Sequence, residues 1–134
     1  MIADRFAQLS IENFETGNVD VGAFDHEAHV YIAWLYLETL PRAQAADRFC
    51  AALQRLTERV GVPAKYHETI SRFFLGLIAR RRDTSGAADW PSFCRENDDL
   101  CKGAAELLQR HYSPELLSSD RARTSFVIPD RRVE

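Results

Sequence analysis

Cysteine is scarce in this sequence, and its three copies show no pairing pattern. Cys50, Cys94 and Cys101 lie in helix-like stretches, and no two of them are spaced as C-x-x-C. A disulfide framework and a thiolate metal site are therefore disfavoured. We expect all three cysteines to be reduced and to pack as small hydrophobic residues.

Long hydrophobic runs and an excess of positive charge are also missing. The longest apolar run, from Val30 to Leu37, is far shorter than the roughly 18 residues that a membrane-spanning helix requires. The net charge of -3 and the isoelectric point near 5.8 disfavour a surface that neutralises phosphates. Neither a membrane nor a nucleic acid is therefore an expected partner. Acidic Asp4 and the lack of a signal-like apolar stretch near the N-terminus predict a cytoplasmic location.

Several signatures of known chemistry are absent from the sequence. It contains no phosphate-binding loop and no dinucleotide fingerprint, so no nucleotide cofactor is expected. The stretch from His26 to His29 is one residue too short for the H-E-x-x-H motif of zinc proteases. The E-x-x-H motif of carboxylate-rich di-iron bundles does not occur either.

Helical periodicity dominates what is present, and no strand-like alternation competes with it. A short lead-in helix is expected within residues 2–13, from the spacing of Ile2, Phe6 and Leu9. The caps and apolar stripes then predict four main helices: from the N-cap Asp25 to Thr39, from Pro41 to Gly61, from Pro63 to the run Arg80–Arg82, and from Phe93 to His111. In the fourth, Gly103 is expected to weaken the helix without breaking it.

These elements predict an all-α fold made by residues 1–134 as a single domain. The expected architecture is an up-and-down bundle of about four main helices with short extra helices, one of them at Ser113–Glu115. The tail from Phe126 is expected to pack as an irregular C-terminal strap. The first main helix is apolar on almost every side, which favours either the centre of the bundle or a homodimer contact.

Three of the four histidines form the candidate site. His26 and His29 are three residues apart, so they share one helix face, which continues into core positions. His67 has the same predicted placement near the start of the third helix. The first and third helices of an up-and-down bundle begin at the same end, so the three imidazoles can converge. Such a set suits a divalent transition metal, Zn, Fe, Mn or Cu, with an open position.

Polar side chains around His67 supply candidate catalytic groups. Glu68 is suited to take or give a proton, while Tyr66 or Arg72 would orient the substrate. Aromatic side chains are expected to form the walls of the pocket, namely Tyr31, Trp34, Tyr66 and Phe74.

The function that this pattern favours is metal-dependent catalysis on a small molecule. The same residues also fit a metal-free pocket that binds a small molecule or transfers a proton. A third reading is a homodimeric interaction module in which the histidines are structural. The run Arg80–Arg82 is interpreted as complementing the dipole at a helix C-terminus, rather than as an anion site.

The motifs F-x-H-x-x-H at 24–29 and K-Y-H-E-T at 65–69 are accompanied by the stretches Y-S-P-E-L-L at 112–117 and F-V-I-P-D at 126–130. Together they resemble a small family of uncharacterised bacterial all-α proteins, over most of the chain. The resemblance implies that the histidine motifs and the strap belong to one design, and it carries no activity over. Such proteins often have Thr or His where this chain has Asp25, a difference that is neutral if the residue only caps a helix.

Overall fold

The computed structural model describes residues 6, 8–87 and 89–131, and these residues form helices and turns without a strand. The all-α prediction is confirmed. The described α-helices are α1 (Ile11–Thr16), α2 (His26–Thr39), α3 (Arg42–Arg59), α4 (Glu68–Ser85), α5 (Trp90–Glu96), α6 (Asp98–Lys102), α7 (Ala104–His111), α8 (Pro114–Leu117) and α9 (Asp120–Thr124). Ile2, part of the predicted lead-in helix, lies outside the described residues. Within these ranges, no helix combines the length and the apolarity needed to cross a bilayer.

Helix α2 lies at the centre of the bundle. It packs against both α3 and α4, and α1 and α6 also contact it. Asp25 caps its first turn by accepting a hydrogen bond from the Ala28 amide at 3.0 Å, as the sequence predicts. Trp34 is buried, and Tyr31 and Leu35 pack against the core from partly buried positions. Packing within one chain therefore accounts for the apolarity of this helix.

Helix α4 begins later and ends later than the sequence predicts. Pro63 opens only a 3₁₀ turn at Pro63–Lys65, and the α-helix starts after His67, which is its N-cap. The helix ends at Ser85 and is followed by the C-cap Gly86, whose φ of 70° lies in the left-handed region that glycine adopts without strain. Arg82 alone of the arginine run lies in the last turn. The interpretation of the whole run as a partner of the helix dipole is therefore wrong.

The predicted fourth helix is divided into the three short helices α5, α6 and α7. The backbone leaves α geometry at Asn97, with φ −127° and ψ 48°, and at Gly103, with φ −115° and ψ 35°. The buried Asn97 side chain donates to the Phe93 carbonyl at 2.9 Å and accepts from Arg81 at 2.8 Å. These bonds fix a local geometry that competes with a continuous helix. The expectation that Gly103 would not break the helix is also wrong.

The tail from Phe126 forms the irregular strap that was predicted. Thr69, fully buried in the first turn of α4, donates to the Ser125 carbonyl at 2.9 Å and accepts from the Val127 amide at 3.1 Å. Tyr112 donates to the Val127 carbonyl at 2.7 Å. The strap is thus joined to α4 and to the end of α7 by buried hydrogen bonds.

All three cysteines are free thiols, as the sequence predicts. Cys50 and Cys101 are buried, and Cys94 is partly buried. Burial raises the pKa of the Cys50 thiol to about 11, so this cysteine stays protonated and unreactive at neutral pH.

Candidate functional site

A cavity of about 310 Å³, here called the histidine pocket, lies between the N-terminal part of α2 and the helices α3 and α4. His26 and His29 both line it, so the structure brings these two candidate residues together. The rest of the lining is mostly apolar and consists of Phe24, Asp25, Val30, Ala33, Phe49, Ile70, Phe74, Leu75 and Ile78.

His29 contributes a neutral imidazole to this pocket. Burial, followed by the nearby His26, lowers the pKa of His29 from 6.5 to about 4, against an opposing effect of the Asp25 carboxylate. The ring packs on Phe24 with centroids 4.3 Å apart. Its nitrogens form no hydrogen bond within the described residues. A neutral imidazole carries one donor and one acceptor, so both can serve a bound molecule.

His26 has one ring nitrogen engaged by the protein. Its Nε2 lies 3.0 Å from the Leu100 carbonyl oxygen. Because a carbonyl can only accept, Nε2 carries the proton, and Nδ1 holds the lone pair of the neutral ring. Burial lowers the pKa of His26, and the ring meets Phe74 edge to face at 5.2 Å.

His67 does not line the histidine pocket. Its Nδ1 accepts a hydrogen bond from the Ile70 amide at 3.2 Å, and its Nε2 donates to the Leu117 carbonyl at 2.8 Å. Both nitrogens are therefore engaged: Nδ1 caps α4, and Nε2 joins the start of α4 to α8. The ring borders a separate cavity of about 320 Å³, which His29 and Tyr66 also line.

The described residues contain no group of three or more His, Cys, Asp and Glu side chains that could hold a metal ion. His67 borders one cavity with His29 and His26 borders another with His29, so neither of these two cavities is lined by all three histidines. The prediction placed His67 on a helix face, whereas it is the N-cap of α4, and its ring accepts a hydrogen bond from the Ile70 amide in the first turn of that helix. The set His26, His29 and His67 thus gains no support as a metal centre.

The three candidate catalytic residues Tyr66, Glu68 and Arg72 contact one another away from the histidine pocket. Tyr66 donates to one oxygen of Glu68, and Arg72 donates to the other oxygen. Arg72 also pairs with Asp47 of α3 at 3.1 Å. Burial and the bond to Glu68 raise the pKa of Tyr66, and the bond to Glu68 raises the pKa of Arg72. This network joins α3 to the start of α4, and its members are already bonded to each other.

The aromatic lining of the pocket differs from the predicted one. Of the four expected aromatic residues, Phe74 alone lines the histidine pocket. Tyr31 and Trp34 pack around Trp90 instead, with ring centroids 5.2 Å and 5.8 Å away.

Sequence reasoning missed Phe24 and Phe49 as parts of the site. A signal for both was present, because Phe24 directly precedes the cap of α2 and Phe49 lies on the apolar stripe of α3. A hydrophobic residue before an N-cap often packs on the first turns of its helix. Here it packs on His29.

Comparison of the chain with protein-family models, curated proteins and solved structures found no match. The resemblance to bacterial helical proteins stays a prediction.

Proposed function

We propose that the protein binds a small, uncharged and largely apolar molecule in the histidine pocket, with His29 as its hydrogen-bonding partner. The observation that carries the proposal is the His29 ring, which lies in an apolar cavity without a hydrogen bond to the described residues. His29 is only partly buried, so its nitrogens can bond to water in the free protein, and a ligand that fills the pocket has to replace those bonds with its own.

The charge state of the pocket supports an uncharged ligand. The lowered pKa values of His26 and His29 keep both rings neutral at physiological pH. Neither ring therefore offers a full positive charge to an anion. Asp25 is already engaged in capping α2.

The size and lining of the pocket support a small ligand with an aromatic or aliphatic body. Small-molecule sites usually have volumes of about 300–1,000 Å³ and a few polar groups among apolar walls. The histidine pocket, at about 310 Å³, is at the lower end of that range. Three phenylalanines in its lining favour a ring-sized body.

Titration with phenol and with toluene, followed by amide chemical shifts, tests the proposal. The two molecules have nearly the same size, and phenol alone carries a hydroxyl group. We expect phenol to shift the resonances around Val30 and Ile78 and to bind more tightly than toluene. In a His29→Leu variant this preference should disappear, a loss of roughly fivefold in Kd for one neutral hydrogen bond.

A His111→Leu variant is the matched control, because His111 lies outside the histidine pocket. It should keep the wild-type preference for phenol. The proposal is wrong if neither compound shifts pocket resonances at millimolar concentration, or if His29→Leu retains the preference.

A parallel titration with Zn²⁺ addresses metal-dependent catalysis, which stays the alternative because His26 and His29 share one cavity. Binding of one ion per chain that requires both histidines would favour that alternative over the proposed metal-free site.

A further inference from the structure

A second cavity, here called the arginine groove, lies on the other side of α4 from the histidine pocket. Ile70, Phe74 and Ile78 of α4 face the pocket, whereas residues two positions further along line the groove. Two residues correspond to about 200° of rotation around a helix, so the two cavities are on nearly opposite faces. The groove has a volume of about 820 Å³ and is lined by Arg42, Arg72, Phe73, Gly76, Leu77, Arg80, His111, Phe126, Pro129 and Arg131.

The groove is positively charged although the whole chain has a net charge of -3. Among the described residues, four arginines line it and no carboxylate does. Arg72 is neutralised by Glu68 and Asp47. The other three form no ion pair within the described residues. A local excess of unpaired guanidinium groups attracts an anion whatever the net charge.

Of the three arginines in the run of α4, Arg80 is the one that lines the groove. Arg81 pairs with Asp99 at 2.9 Å, and Arg82 pairs with Glu38. Arg80, which lines the groove, has no carboxylate partner in the part of the chain that the structure describes. Asp130 lies next to Arg131 in the chain, but its carboxylate accepts hydrogen bonds from the amide and the hydroxyl of Ser113.

Gly76, in the middle of α4, leaves space on the helix surface that lines the groove. A Cβ atom at Gly76 would lie 3.3 Å from Nη2 of Arg42, which donates to the Gly76 carbonyl at 3.4 Å. Glycine inside a helix is less favourable than alanine. Here its missing side chain leaves room for the Arg42 guanidinium over the helix.

Apolar surface adjoins the charges. Phe126 lines the groove and is 45% exposed, and Pro129 lies beside it in the strap. We propose that the groove binds an organic phosphate, with the phosphate between Arg80, Arg42 and Arg131 and the apolar part against Phe126. Guanidinium groups match the geometry of phosphate oxygens, and several of them favour a dianion over a single carboxylate.

Titration with phenyl phosphate, with inorganic phosphate as the comparison, tests this site by amide chemical shifts. We expect phenyl phosphate to shift resonances of α4 and the strap, to bind more tightly than inorganic phosphate, and to weaken as salt is added. Arg80→Gln and Arg131→Gln should each weaken binding by roughly tenfold, since each removes a charge-assisted hydrogen bond. Arg95→Gln is the matched control, because Arg95 lies outside the groove and contacts Ser92.

Gly76→Ala separates weaker ligand binding from a loss of stability. It should keep or raise the thermal midpoint while weakening the binding of phenyl phosphate slightly, since the new methyl group, 3.3 Å from Nη2, makes the Arg42 guanidinium shift by a few tenths of an ångström. The proposal is overturned if phenyl phosphate does not bind, or if inorganic phosphate binds as tightly. It is also overturned if the groove variants bind no more weakly than Arg95→Gln.

Discussion

Two histidines of this chain, His67 and His29, differ in the hydrogen bonds that their ring nitrogens form. His67 uses both ring nitrogens, one to accept from an amide of its own helix and one to donate to the Leu117 carbonyl. His29 uses neither within the described residues and lies in an apolar cavity. The first ring therefore stabilises the fold, and the second is available for a ligand.

Replacing each histidine by leucine should separate these roles by stability. His67→Leu removes an N-cap and a link to α8, so we expect a loss of about 2 kcal/mol in the free energy of unfolding. His29→Leu removes no hydrogen bond and places an apolar group in an apolar cavity, so stability should be unchanged or higher. Urea unfolding curves measure both, with the slope of the transition as a check on two-state behaviour. Equal losses in the two variants would contradict this assignment.

At the scale of elements, predictions succeeded where a short stretch of sequence decides the structure. Asp25 and Pro41 bound α2 as predicted, because capping and proline geometry are local. The limits of α3 follow from its apolar stripe in the same way. His26 and His29 could be assigned to one core-facing site because their spacing alone places them on one helix face.

Predictions failed where distant residues decide the structure. The break at Asn97 depends on a hydrogen bond from Arg81, sixteen residues away. The start of α4 depends on a histidine that acts as a cap, a role that serine, threonine, aspartate and asparagine usually fill. Because the helix starts after His67, this residue is an N-cap and not a member of the helix face on which the prediction placed it. The arginine groove also needed tertiary structure, since its residues come from α3, α4, α7 and the strap.

The strap provides a test of coupling between elements through Thr69. Its hydroxyl group bonds both to Ser125 and to Val127, and it is fully buried. Thr69→Val should leave the buried Val127 amide without a partner, so we expect a loss of about 1–3 kcal/mol in the free energy of unfolding. Amide hydrogen exchange at Val127 should become faster than in the wild type.

Thr39→Val is the matched control for this change, since the exposed Thr39 hydroxyl donates only to Leu35 within its own helix. Its effect on stability should be within about 0.5 kcal/mol. If Thr69→Val leaves both stability and exchange at Val127 unaltered, the strap is not held through this residue.

At the scale of the whole molecule, one chain provides a core for its most apolar helix. Trp34 is buried, and Tyr31 stacks on Phe6 with centroids 4.6 Å apart. The homodimer stays a prediction, but the apolarity of α2 no longer argues for it. The two cavities on opposite faces of α4 instead give a single chain two chemically different surfaces, one neutral and one cationic.

The neutral pocket makes the stability of the whole molecule depend on pH. The pKa of His29 is 6.5 in its ordinary state and about 4 in the fold, and that of His26 is lowered as well. Between these values the unfolded chain binds more protons than the folded one, so stability should fall as the pH decreases from 6.5 to 4. For His29 the loss is up to about 3 kcal/mol. Thermal midpoints measured across this range should show the decline, with a plateau above neutral pH.

Carboxylates contribute only at the acid end of this window. Hydrogen bonds and nearby arginines hold the pKa values of Asp89, Asp99 and Asp130 below the ordinary 3.8, so their stabilisation is lost below that pH. For Glu15, burial is outweighed by the bonds from Arg48 and Tyr36, and its stabilisation starts to be lost near the ordinary pKa of 4.5. The His29→Leu variant should therefore make the curve shallower between pH 4.5 and 6.5, where the contribution of His26 remains, and leave the loss at lower pH in place. A wild-type curve that is already flat in that range would mean that folding does not lower the pKa of His29. The pocket would then gain a positive charge as the pH falls through 6.5, and the neutral ring that the proposed ligand requires would exist only above that pH.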